Sequence, residues 1–90
     1  MNEALSKRVS LELQGAHLLV VWDVLADKLS ESAFFKELRE EERRAVWALQ
    51  DLCESALAAN GFSGRAKGEW DDLMNSAREH VKTLPVEFLD

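Results

Sequence analysis

The chain has one cysteine, one proline and four glycines in 90 residues. Each scarcity excludes something. A lone cysteine leaves no internal disulfide to form. So few backbone breakers disfavour a fold of many short strands and favour long helices. No run of eighteen apolar residues occurs and no secretory h-region is present, so the chain is expected to be soluble, cytoplasmic and without a membrane span. Basic residues are outnumbered 11 to 17, and the formal charge of −6 lacks the basic face of a general nucleic-acid binder. Basic residues cluster only at Lys7-Arg8, Arg43-Arg44 and Arg65/Lys67, and acids surround two of these three groups.

Signatures of chemistry are equally sparse. Gly61-Phe-Ser-Gly64 has neither the spacing nor the Lys-Ser/Thr ending of a phosphate-binding loop. Two histidines and one cysteine spread over some sixty residues do not space into a zinc motif. No strand-turn nucleophile elbow is visible. No cofactor is expected.

What the chain does have is apolar residues, 47% of the total, arranged with helical period. The stretch Ser30–Asn60 is predicted to be one long helix. Ser30 and Ser32 suit an N-cap, Glu31 and Glu37 suit the positive end of the dipole, and Asn60-Gly61 suits a left-handed stop. Its apolar line runs Phe35, Leu38, Ala45, Val46, Leu49, Leu52, Cys53, Ala56, Leu57, with gaps of three and four. The charged run Arg39–Arg44 is the one place where two shorter helices can meet at an angle. Cys53 falls in the apolar line and is expected to be a buried, inert thiol. Leu49 and Leu52 are expected in the core.

Trp47 stands apart, about 160 degrees round the helix from the centre of that line. Two readings are open: a ring lying under Arg43 or Arg44 as a cation–π pair, or an anchor for a partner protein rimmed by Arg43, Arg44, Asp51 and Glu54.

A second helix is predicted over residues 14–29. Leu18, Val21, Trp22, Leu25 and Leu29 make its main face, widened by Leu19 and Ala26, and only a wedge at Asp23 and Asp27 is clearly polar. Leu13, Val20 and Val24 form a second apolar strip that a three-helix monomer would leave partly uncovered, and a homodimer through that strip is the expected solution. His17 borders the strip as a partly buried structural histidine.

The third helix begins between Ser63 and Gly68, carries Ala66, Trp70, Leu73, Met74, Ala77, Val81 and Leu84 on one side, and ends at Pro85. Residues 9–13 satisfy two patterns: Leu5, Val9, Leu13 and Ala16 have helical spacing, whereas Val9, Leu11 and Leu13 alternate as in a strand. The strand's available mate is 86–88, where Val86 and Phe88 flank Glu87. The expected fold is therefore all-α: one domain over residues 1–90, a small antiparallel three-helix bundle, with a short β pair between 9–13 and 86–88 left open.

For function, size and charge suit a non-enzymatic protein that binds another protein. A bacterial or phage accessory protein such as an antitoxin, immunity protein or inhibitor would fit, an expectation from class. A regulator touching DNA through Arg43-Arg44 is disfavoured by the net charge. One alternative is an enzyme. Glu37-x-x-Glu40, followed after 28 residues by Glu69-x-x-Asp72, resembles the EXXE…EXXD pattern of the all-α nucleotide pyrophosphatases of the MazG type. That resemblance covers these four residues. It implies a Mg²⁺ ion held against a nucleoside triphosphate by Glu37, Glu40, Glu69 and Asp72, chemistry that suits hard oxygen ligands.

Overall fold

A computed structural model describes residues 3–85, and the described residues form helices and connecting segments without strands. A short 3₁₀ turn at Glu3–Ser6 precedes an irregular arm through Gln14. Helix α1 spans Gly15–Asp23 and continues as a π-helical stretch over Val24–Leu29. Helix α2 is Ala33–Glu37, α3 is Glu40–Ala59 and α4 is Lys67–Val81. None is long and apolar enough to cross a membrane among the described residues.

Helix α1 packs against both α3 and α4, most extensively against α4. Its Leu19, 1% exposed, meets Leu57 of α3 and Met74 and Ala77 of α4, and these four make the main core cluster. Trp22 and Trp70 close one end, edge to face with ring centroids 5.6 Å apart. Phe62, in the loop after α3, packs on the same cluster. Its ring sits where a Cβ on Gly15 would meet it at 2.8 Å, so the start of α1 needs a glycine for this approach. Gly61, at φ +79°, turns the chain out of α3 just before Phe62.

Two polar contacts tie α1 to α4. Arg78 donates to Asp23 Oδ2 at 2.8 Å, and His80 Nε2 lies 2.7 Å from Gln14 Oε1. Asp23, one of the polar residues of this helix, has its side chain only 16% exposed. A carboxylate so placed needs its cation, and α4 supplies it.

Three expectations are corrected. The predicted helix Ser30–Asn60 is two helices, because the chain extends at Leu38 and Arg39 (ψ 150° and 157°). The acids of the charged run cause the restart. Glu40, Glu41 and Glu42 occupy the first turn of α3, where the dipole favours them, and Glu42 Oε1 accepts the Arg39 amide at 2.7 Å. Ser32 caps α2 separately, its hydroxyl oxygen accepting the Phe35 amide at 3.1 Å.

Residues 9–13 are neither helix nor strand, and Val9 and Leu11 are exposed. The alternation there has no neighbouring strand to pair with among the described residues, and 86–88 lie outside them. Leu49 and Leu52 are not core residues: they are 44% and 69% exposed, while Cys53 and Leu57 beside them are buried. The apolar arc of α3 is wider than α1 can cover, and α1 takes only one edge of it.

Two consequences are measurable. Leu57→Ala should lower the unfolding free energy by about 2–5 kcal/mol, as for a buried leucine, whereas Leu52→Ala in dilute monomer should cost under about 1 kcal/mol. Equal losses in urea titrations would contradict the burial pattern. Burial also pushes the Cys53 thiol above its ordinary value through desolvation. With the folded value raised, its contribution to stability is full below the ordinary thiol range, about 8.5, and is lost as pH rises through the folded value. Cys53 should react slowly with a thiol reagent at pH 7 and quickly in denaturant. Equal rates would place the thiol at the surface.

Candidate interaction surface

Helix α3 carries eleven apolar residues in twenty, which is more than one packed face accommodates. Its buried line of Cys53 and Leu57 leaves two other faces to account for.

On one of them stands Trp47, and its surroundings are not those read from the sequence. Its ring packs on Phe35 of α2, centroids 5.6 Å apart and tilted by 55°. Twelve residues along an unbroken helix would separate the two by about 18 Å. The extended pair Leu38-Arg39 is what folds α2 back and makes the contact possible. Phe35 is thereby buried, and Trp47 keeps 48% of its surface exposed.

The residues expected to rim Trp47 are distributed as follows. Arg43 donates to the Leu38 carbonyl, satisfying the end of α2. Arg44 pairs with Glu40 at 3.0 Å on the surface. Asp51 and Glu54 are exposed on the following turns. Neither arginine takes the ring as a cation–π partner. Trp47 is held from below by an aromatic neighbour and open above.

The other face of α3 presents Ala45, Ala48, Leu49 and Leu52, all exposed. Sequence reasoning assigned Leu49 and Leu52 to the core because spacing alone does not say which edge of a wide apolar arc is covered. The signal for an uncovered edge was the width itself, with Ala48 lying well round from Cys53.

The α1 strip is partly absorbed. Val20 packs against the main core cluster, whereas Leu13 and Val24 remain 45% and 41% exposed. The widened turn after Asp23 is fixed by Ser30, whose Oγ lies 2.7 Å from the Leu25 carbonyl and 3.3 Å from Gln50 Oε1 of α3.

A cleft of about 260 Å³ opens where α1, α3 and α4 meet the Ser63–Arg65 turn, lined by Trp22, Trp70, Leu57, Glu54 and Arg65. The indole nitrogen of Trp22 is buried without a hydrogen-bond partner among the described residues. This cleft had no counterpart in the sequence reading, which assigned Trp22 and Trp70 to the core by their spacing.

The four carboxylates of the pyrophosphatase-like pattern are not gathered. Glu37 closes α2, Glu40 opens α3, and Glu69 and Asp72 lie in the first half of α4, all exposed. Among the described residues no three His, Cys, Asp or Glu side chains converge where they could hold a metal ion.

The contact of Trp47 with Phe35 gives a direct test. Trp47→Ala should cost at least about 1 kcal/mol of stability, as expected when an aromatic pair is lost. In a double-mutant cycle with Phe35→Ala the two changes should be less than additive. Full additivity would show that the rings do not support one another. No family model, no curated protein and no solved structure matches the chain.

Proposed function

We propose that this chain is a small acidic, non-enzymatic protein-interaction module, an all-helical bundle of the kind used as an antitoxin, immunity protein or inhibitor. The observation that carries the reading is a mismatch between core and surface. Seven hydrophobic residues are buried among the described residues, whereas nine large hydrophobic side chains are exposed. Three of the nine, Trp47, Leu49 and Leu52, stand on the single helix α3, a concentration of the kind that marks interaction sites rather than the scattered exposures normal on a monomer. With a net charge of −6, a basic partner is favoured by electrostatic complementarity and faster encounter.

The partner-binding face we assign is the open side of Trp47 with Arg43, Arg44, Asp51 and Glu54 around it. A half-open indole fixed from below by Phe35 is already ordered before binding, so little side-chain entropy is lost on contact. Charged residues at the edge supply the polar rim usual around such an anchor.

Paired affinity capture tests the assignment. Trp47→Phe keeps an aromatic ring on Phe35 but trims the exposed half, and Glu54→Lys reverses a rim charge without touching the core. A protein retained by the wild type should bind each variant at least about tenfold more weakly, a loss of about 1.4 kcal/mol. Equal retention by all three chains would contradict the assignment. Release of pyrophosphate from nucleoside triphosphates with Mg²⁺, abolished by Glu40→Gln, would overturn the non-enzymatic reading altogether.

A further inference from the structure

We infer that the outer face of α3 is a self-recognition surface, on which a second copy of this chain docks antiparallel about a twofold axis near Ala48 and Leu49. This rests on the interaction-module reading and names one partner, the chain itself, on a face separate from Trp47.

The need for a cover comes from exposure: Leu49 and Leu52 stand 44% and 69% exposed on the outside of α3. Among the exposed large hydrophobics, Leu49 and Leu52 are the pair that shares one face of a long helix.

The face is regular. At about 100 degrees per residue, Ala45, Ala48, Leu49 and Leu52 fall within an arc of about 100 degrees. The arc lies about 100 degrees round from the buried Cys53–Leu57 line and about 150 degrees from Trp47, so docking there leaves the Trp47 ring open, with Arg44 and Asp51 on the flank between the two faces.

Shape selects a second copy. The N-terminal half of the arc is small, Ala45 and Ala48, and the next turn is large, Leu49 and Leu52. A twofold axis between Ala48 and Leu49 sets each leucine of one copy over an alanine of the other, Leu52 over Ala45 and Leu49 over Ala48. Large against small is how facing helices interdigitate, and a self-complementary patch is what a closed twofold interface requires.

Charge is compatible with this arrangement, the arginine side chain spanning an offset of two residues (about 3 Å) from the register of the apolar pairs. Arg44 and Asp51 are seven residues apart and share the flank beside Ala48. A twofold axis perpendicular to two antiparallel helices brings the same flank of each copy together, so Arg44 of one faces Asp51 of the other, twice. The Arg44–Glu40 pair within the chain is largely exposed, 75% and 70%, and worth little, so it does not hold Arg44 back.

Sedimentation velocity on the full chain, from 1 to 200 µM, should show a species of twice the chain mass at the upper concentrations. Leu52→Glu should weaken association at least a hundredfold with an unchanged far-ultraviolet circular dichroism spectrum. Arg44→Glu and Asp51→Lys should each weaken it about tenfold, and the two together should restore it to within about threefold of wild type. Ala48→Cys in a Cys53→Ser background should cross-link between copies under mild oxidation.

A monomer at 200 µM would overturn the inference. So would a dimer dissolved by Val24→Glu but not by Leu52→Glu, which would put the α1 strip at the interface. Trp47→Phe should leave self-association unchanged. Self-association lost with that variant would also overturn the inference, whereas loss of capture by Trp47→Phe with the dimer intact bears only on the partner-binding face.

Discussion

Leu19 sits where α1 meets α3 and α4 at once, and it is the most completely buried large side chain described. The rest of the core is organised by what reaches it: Leu57 from one side, Met74 and Ala77 from the other. Because α1 has helices on both flanks, its own sequence has little polar surface, and its one inward carboxylate, Asp23, is matched by Arg78 of α4. The arrangement is economical in a short chain but leaves a narrow core. Helix α3 offers an apolar arc broader than a single neighbour can cover, and the uncovered remainder faces solvent as Ala45, Ala48, Leu49 and Leu52.

The second organising constraint is the break at Leu38-Arg39. Three consecutive glutamates following Arg39 are better placed in the first turn of a new helix than in the middle of an old one, since the N-terminal amides there are unpaired and the dipole is positive. Arg43 then satisfies the end of α2 and Glu42 the start of α3. The break positions Phe35 against Trp47, and so converts a tryptophan opposite the main apolar line into one that is half packed and half open. Local electrostatics thus shapes the surface on which the protein is proposed to work.

Much of this was legible in the sequence and some of it was not. Helical periodicity located α1, α4 and the C-terminal end of α3 closely, because spacing of three and four apolar residues is a local property that the tertiary fold preserved. The charged run marked the break, but propensity favoured continuity, and the contact between Phe35 and Trp47 that rewards the break is invisible to a periodicity argument. Leu49 and Leu52 read as core because period identifies a side of a helix, not whether a neighbour arrives to cover it. The alternation over residues 9–13 was a pattern without a partner strand among the described residues. The four carboxylates Glu37, Glu40, Glu69 and Asp72 had spacing alone to join them, and spacing does not bring helix ends together.

The central claim is that the folded chain is incompletely covered by itself and is completed by association. The most direct measurement is the midpoint of thermal unfolding as a function of protein concentration, from about 1 to 500 µM. A protein stabilised by binding its own kind unfolds at higher temperature when more concentrated, by mass action. The account predicts a midpoint that rises steadily across that range and stops rising with Leu52→Glu. A reversible transition whose midpoint is the same at every concentration would contradict it.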